Sequence, residues 1–261
     1  MKNLVVMRKF LLFMTLISVV FCSNAQTEKI KNGHFVISYD KDIEEYALAS
    51  ARILNFVWER LDEFGFKPPK KVVFNLVKSE RNRLFLHKDK PIITLEYTSL
   101  DPSKVPANFV YGLCHEMGHI GMFHITPNKN NWMSLYYREG WADIFGENIT
   151  VLLYEKFGIY AWPNPYNYLE RLAGYTTMRT QAFEKGDDVS ASYISDFFWK
   201  KLVEEKGMDK MPFFFRQIKS NRVRNPDADK KIRAELVKFG VTDDLLDYFD
   251  QNKQHLIYYP E

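Results

Sequence analysis

Apolar residues in the first half of the chain follow two spacings, one typical of strands and one typical of helices. Three short stretches rich in β-branched and aromatic side chains predict strands, over residues 34–39, 71–77 and 92–97. Between the first two, residues 43–64 carry apolar side chains at helical spacing and predict a helix that ends at Gly65. A second helix, which is apolar nearly all round and is therefore expected to be buried, is predicted to begin near Pro106.

The second half of the chain shows helical spacing almost throughout. After a polar loop at residues 127–131, a helix is predicted to run to about Phe157, and a loop rich in Gly, Pro and aromatic residues follows over 158–165. Five further helices are predicted over residues 168–173, 193–206, 211–219, 228–239 and 243–251. Strands followed by helices predict an α+β fold, in which a small N-terminal sheet packs on the helix near Pro106 and a mainly helical C-terminal lobe follows.

The first 25 residues have the layout of a secretory signal peptide. Three basic residues form a positively charged start, residues 10–21 form an apolar run, and residues 23–25 are small enough for a cleavage site. The apolar run is shorter than the roughly 20 residues that a membrane-spanning helix needs. We therefore expect an exported protein, periplasmic or secreted, without stable membrane insertion after cleavage. The alternatives are an uncleaved N-terminal anchor and a lipid attached to Cys22, although the bulky Phe21 disfavours the lipid.

Residues 26–261 are enough for one domain with its own core, divided into lobes of about 26–126 and 127–261. Three of the 36 Lys and Arg residues and none of the 33 Asp and Glu residues lie in the predicted signal, so the rest of the chain carries equal numbers of both. This balance argues against nucleic acid or an anionic membrane as a partner. Cys114 is the single cysteine after the signal, which excludes an intramolecular disulfide, and we expect it to be a buried small apolar side chain.

The helix near Pro106 contains the sequence His-Glu-Met-Gly-His. On a helix, His115 and His119 are four residues apart and lie on one face, so both imidazoles can reach one metal ion. Glu116 would then reach a water molecule on that metal, which is the arrangement of a hydrolytic zinc site. The alternative is a half-buried helix that happens to carry two histidines. Buried polar groups without partners are costly, however, and a metal ion supplies a partner here.

Catalytic zinc sites usually have three protein ligands, and Glu139 is the best candidate for the third. Asp143 follows it by four residues, so on a helix it shares the same face and can accept the free ring N–H of a zinc-bound histidine. The alternative is that both carboxylates are solvated on a surface helix, but the apolar residues around them argue against it. His124 is a second alternative ligand, although five residues along a helix turn it about 140° away from His119.

The motif His-Glu-Met-Gly-His, followed twenty residues later by Glu-Gly-Trp-Ala-Asp, resembles the gluzincin clan of thermolysin-like zinc peptidases. The closest likeness is to the small bacterial peptidase-MA-like domains. It is strong over residues 105–150 and weaker over 33–100 and 190–220. The resemblance implies a zincin-like fold, zinc as the cofactor, and these roles: His115, His119 and Glu139 as ligands, Glu116 as general base, and Asp143 as the hydrogen-bond partner of a ligating histidine.

A peptidase of this kind also needs a donor for the oxyanion that forms during the reaction. The candidates are Tyr136, Tyr137, Tyr193 and His255. Tyr193 is the first choice because it opens an aromatic-led segment similar to the helix that follows the zinc motifs in peptidase-MA-like domains. The alternative is an ordinary core or surface tyrosine.

The sequence thus predicts an exported zinc peptidase whose partner is a peptide or protein substrate, and it makes no prediction about oligomeric state. A catalytically silent, zinc-containing binding protein of the cell envelope is the alternative, and the presence of Glu116 favours the enzyme, since a silent protein has no need of the base. A hydrolase acting on non-peptide carbonyls is a third alternative. Glu96, on the strand before the motif helix, is a candidate for holding a substrate amine, or else an exposed strand carboxylate.

Overall fold

The structure, a computed structural model, describes residues 27–87, 90–101, 105–126, 135–159, 188–218 and 228–256. The predicted signal peptide, the predicted loop at 127–131 and the predicted helix at 168–173 lie outside these residues. The fold is α+β, as the sequence predicts: a mixed five-stranded sheet and, within the described residues, seven α-helices.

The sheet is built from strands β1 (Thr27–Asn32), β2 (Phe35–Asp40), β3 (Val72–Lys78), β4 (Arg83–Leu86) and β5 (Ile92–Tyr97). Their spatial order is β1-β2-β3-β5-β4, with the three central strands parallel and the two edge strands antiparallel to their neighbours. The central strands β2, β3 and β5 confirm the three strands predicted from the sequence. The edge strands β1 and β4 were not predicted, because a short or charged strand is typical of a sheet edge and carries little apolar pattern.

The helices are α1 (Glu44–Glu63), α2 (Ala107–Ile125), α3 (Leu135–Phe157), α4 (Asp188–Lys206), α5 (Met211–Ile218), α6 (Ala228–Phe239) and α7 (Asp243–Leu256). Each of them overlaps a helix predicted from the sequence. Helix α4 begins five residues before the predicted start, and α7 extends five residues beyond the predicted end. No helix within the described ranges has both the length and the apolar character required to cross a membrane.

The buried hydrophobic side chains of both predicted lobes form one cluster. Alternate residues of β2 and β3 are buried, and α1 packs against β2 and α2. Phe66, which follows α1, packs its ring 5.4 Å from that of Trp141 on α3, and Trp141 in turn lies 5.4 Å from Trp199 on α4. These aromatic contacts connect the N-terminal half of the protein to the two helices that follow the motif helix.

Helices α2 and α3 approach each other closely at Gly146. A Cβ atom at this position would lie 3.3 Å from the backbone nitrogen of His115 and 3.3 Å from the ring of Tyr111, which is closer than most side-chain contacts. On the same pair of helices, the indole N–H of Trp141 donates a hydrogen bond of 3.1 Å to the carbonyl of Gly118. The backbone of α3 is therefore held against the turn of α2 that carries the histidine motif.

Candidate metal centre

The predicted motif is helical, and α2 presents its two histidines on one face. The imidazole centroids of His115 and His119 lie 4.8 Å apart with their planes at 88° to each other. The ring of His119 is held in this position, because it is buried and stacks on the ring of Phe123 at 5.6 Å. The Nε2 atoms of both rings face α3, where they meet a carboxylate.

That carboxylate is Glu139, the predicted third ligand. A single oxygen, Oε2, lies 3.2 Å from Nε2 of His115 and 3.3 Å from Nε2 of His119. The ligand atoms of the three residues all lie within 4.8 Å of one another, and within the described residues this is the group that could hold a metal ion. Zinc bound by four ligands at about 2.0–2.1 Å separates neighbouring ligand atoms by roughly 3.3–3.4 Å, so two of the three spacings already match a tetrahedral site.

Asp143 lies behind His115, on the side away from Glu139. Its Oδ1 atom is 2.7 Å from Nδ1 of His115, as predicted from the four-residue spacing between Glu139 and Asp143. The hydroxyl of Tyr111 donates a hydrogen bond of 2.7 Å to the same oxygen. An ionised carboxylate can only accept hydrogen bonds, so Nδ1 of His115 carries the proton in this pair and Nε2 is left to bind a cation.

The charges around His115 make this position strongly favourable for a cation. Burial alone would lower the pKa of His115, but the hydrogen bonds to Asp143 and Glu139 outweigh it and raise the pKa to about 10. Burial acts in the opposite direction on Glu139 and raises its pKa, but the hydrogen bonds and charge interactions with the two imidazoles outweigh burial, and the net pKa lies below the usual range. Between Glu139 and the two Nε2 atoms there is thus a place for either a proton or a metal ion.

The candidate general base, Glu116, is also buried, with an exposed fraction of 9%. Burial raises its pKa, an effect opposed by positive charge on His115 and His119 and by a hydrogen bond from the backbone of Leu86, and reinforced by Glu139. The net shift is upward. A carboxyl group with a raised pKa can accept a proton and return it at neutral pH, as a general base must do.

The contact with Leu86 is a finding that the sequence did not predict, because β4 was not recognised as a strand. Leu86 is the last residue of β4, at the edge of the sheet. The same strand contributes Leu84, whose side chain lies close to Gly112 of α2. The edge strand therefore lies alongside the motif helix, next to the candidate general base, Glu116.

Three other residues considered in the sequence analysis lie outside the group formed by His115, His119 and Glu139. His124 is exposed at the C-terminal end of α2 and is not part of the three-residue group. Cys114 is fully buried, as expected for a small apolar side chain. Glu96 pairs with Arg83 of β4, whereas Leu86, whose backbone contacts Glu116, pairs with Ile93. Three residues separate the two pairs, so Glu96 lies about 10 Å along the strand from the contact with Glu116.

The predicted oxyanion donor is not tested by the structure. Tyr193 belongs to α4, but its side chain lies outside those that the structure describes, and the same holds for the side chains of Tyr136, Tyr137 and His255. Tyr111, by contrast, is a residue at this site that sequence reasoning missed. Its position near the site could have been predicted from the sequence, since Tyr111 precedes His115 by four residues and so lies on the same helical face.

No protein-family model matches the sequence, and a search of curated proteins finds no significant match. The chemistry of the residues at this centre is therefore the basis for assigning a function.

Proposed function

We propose that this protein is an exported zinc peptidase with a zincin-like fold and a gluzincin-type centre, in which His115, His119 and Glu139 hold the metal. The observation that carries the proposal is the single oxygen of Glu139 that lies 3.2 and 3.3 Å from two imidazole Nε2 atoms. Two imidazole nitrogens and one carboxylate oxygen attract one another at this distance when a proton or a metal ion lies between them, and one metal ion can serve all three atoms at once. Two histidines and one carboxylate form a ligand set typical of catalytic zinc.

Asp143 and Glu116 distinguish a hydrolytic centre from a simple cation site. Asp143 fixes the ring of His115 so that Nε2 remains directed at Glu139, which is the usual support for a zinc-bound histidine. Glu116 lies on the next position of the helix and contributes a buried carboxylate whose pKa burial raises. It is not one of the three ligand residues, so it is available for proton transfer.

When bound, zinc supplies a Lewis acid and lowers the pKa of a coordinated water to about 7. Glu116 takes the proton of the attacking water at its carboxylate and delivers it to the leaving nitrogen of the peptide bond. Asp143 keeps the proton on Nδ1 of His115 throughout. Tyr193 is the proposed donor to the oxyanion, on the basis of the family resemblance alone.

The test combines metal content with hydrolysis. Purified protein is loaded with zinc, its metal content is measured by mass spectrometry, and cleavage of casein and of a mixture of quenched fluorescent peptides is followed. We expect one zinc per chain and hydrolysis that a chelator abolishes. Glu116→Gln should still bind zinc but lose at least a hundredfold of the activity, whereas Glu155→Gln, an exposed carboxylate on α3, should leave both unchanged.

Four results would contradict the proposal. If the protein takes up no zinc, the proposed metal site is wrong. If the Glu116→Gln variant is as active as the wild type, Glu116 is not the general base. Zinc bound without cleavage of any peptide supports the silent binding protein instead, and cleavage of ester or amide substrates without cleavage of peptides supports a different hydrolase.

A further inference from the structure

Tyr111 makes a contact that the proposed reaction does not require but that bears directly on the metal centre. Its hydroxyl donates to Oδ1 of Asp143 at 2.7 Å, and Nδ1 of His115 lies 2.7 Å from that same oxygen. A chain of three side chains therefore runs from α2 to α3 and back to α2, and it ends at a candidate ligand.

We propose that Tyr111 is a positioning residue for the metal centre, which holds Oδ1 of Asp143 in place and through it directs Nε2 of His115 at the metal. This inference rests on the metal site of the proposed function and not on the hydrolysis of any substrate.

The geometry supports this role because a carboxylate held by one hydrogen bond can rotate about its terminal bond. In Asp143 the oxygen that accepts the proton of His115 also accepts the hydroxyl of Tyr111, so rotation would break two hydrogen bonds at once. Charge-assisted hydrogen bonds of this length are among the stronger ones in proteins. The side chain of Asp143 is about one quarter exposed, so without Tyr111 water would compete for this oxygen.

Tyr111 is itself held rigidly. Its ring lies against the backbone of α3 at Gly146, where a Cβ atom would come within 3.3 Å of the ring. Its ring centroid is 6.2 Å from that of His115, one helical turn further along α2. A tyrosine fixed in this way transmits the position of α2 to Asp143, so that the ligand and its support are aligned by the same helix.

The electrostatic surroundings keep the hydroxyl a donor. Burial, and then the negative charges of Asp143, Glu147 and Asp196, raise the pKa of Tyr111 well above its ordinary value of 10.0. The hydroxyl is thus harder to ionise than that of an ordinary tyrosine, and it keeps a proton to donate to Asp143.

The experiment measures zinc affinity by competition with a chromophoric chelator, and it uses the full protein. Tyr111→Phe removes one oxygen and keeps the ring. Loss of a direct hydrogen-bond partner of a ligand typically weakens zinc binding about 10–100-fold, and we expect about 3–10-fold here because Tyr111 is one bond further away. The matched control is Tyr46→Phe, a buried tyrosine on α1 whose hydroxyl has no partner among the described residues, and it should leave the affinity unchanged.

Two further measurements separate positioning from general destabilisation. The visible spectrum of the cobalt-substituted protein reports ligand geometry, and it should change in Tyr111→Phe but not in Tyr46→Phe. In an Asp143→Ala background, adding Tyr111→Phe should change the zinc affinity by less than about twofold, because alanine removes the oxygen through which Tyr111 acts on His115. Circular dichroism confirms that each variant is folded.

The outcomes are distinct. Unchanged zinc affinity and cobalt spectrum in Tyr111→Phe would overturn the inference, as would an equal effect of that substitution with and without Asp143. A wild-type protein that binds no zinc overturns both the inference and the proposed function. Zinc binding that depends on Tyr111, in a protein that cleaves no peptide, supports the inference and contradicts only the proposed peptidase activity.

Discussion

Gly140 follows the candidate ligand Glu139 on α3 and packs against α4. A Cβ atom at this position would lie 2.7 Å from both the carbonyl carbon and the Cβ of Ser195, a fully buried residue. Because the carbonyl carbon belongs to the backbone, no change of side-chain rotamer relieves the contact. Gly140→Ala therefore tests whether the close approach of α3 to α4 positions the metal ligand.

The magnitude follows from two opposing effects. Alanine is favoured over glycine within a helix by about 1 kcal/mol, whereas inserting a methyl group into a packed contact costs about 1–3 kcal/mol. The added Cβ would lie 2.7 Å from the atoms of Ser195, whereas ordinary van der Waals contact begins at 3.4 Å, so α3 and α4 must separate by about 0.7 Å. Because the contact is with backbone, its cost lies at the upper end of that range, about 2–3 kcal/mol, and we expect a net loss of about 1–2 kcal/mol in the free energy of unfolding. Ligand positions tolerate shifts of only about 0.2 Å, so zinc affinity should fall at least tenfold.

The assay is urea unfolding of the metal-free protein together with chelator competition for zinc. Gly112→Ala is the matched control, because it has the same helical preference but would contact only the tip of the Leu84 side chain, which can rotate away. The control should change the free energy of unfolding by less than about 1 kcal/mol and leave zinc affinity unaltered. The reasoning is refuted if Gly140→Ala is as stable as the wild type, or more stable, and binds zinc equally well.

Three further outcomes are expected. The pKa of His115 is raised from 6.5 to about 10 in the metal-free protein, so zinc must displace a proton from this residue. The affinity of the protein for zinc should therefore rise about tenfold per pH unit from pH 6.5 to about 9. A zinc affinity that does not change with pH in chelator competition would contradict this. Burial raises the pKa of Cys114, so in a Cys22→Ser chain a thiol reagent should label Cys114 only after unfolding, and rapid labelling of the native protein would show that the thiol is accessible. Trp141→Phe removes the hydrogen bond to the carbonyl of Gly118 and part of a buried ring, and should lower the unfolding free energy by about 2–4 kcal/mol in urea titration; a loss below about 1 kcal/mol would show that the contact is dispensable.

The relation of His115 to His119 could be predicted from the sequence because helical periodicity alone determines it. The pairing of Glu139 with Asp143 follows from the same rule, and the structure places each carboxylate on a different nitrogen of His115. Local spacing also predicted the three central strands, whose apolar side chains are regular. These features depend on residues that are neighbours on one helix or one strand.

The meeting of Glu139 and Asp143 with the histidines was expected from the chemistry of a zinc site, but other features that depend on separate parts of the chain could not be predicted. The edge strand β4 has four residues and alternates weakly, so nothing in its sequence indicates that Leu86 contacts Glu116. The contact of Gly146 with the backbone of His115 requires knowledge of how two helices pack. Tyr111 was visible as a residue on the histidine face, but its function depends on Asp143, which lies 32 residues further along.

The position of the whole centre reduces to the packing of two helices. Helix α2 carries Tyr111, both histidines and the proposed general base, whereas α3 carries the proposed third ligand and Asp143. A single rigid relation between α2 and α3 therefore sets the distances from Glu139 to both Nε2 atoms and the distance from Asp143 to Nδ1. Gly146 allows the close approach, and the hydrogen bond from Trp141 to Gly118 holds it from the buried side. Substitutions that separate these two helices should consequently weaken metal binding even when they touch none of the proposed ligands.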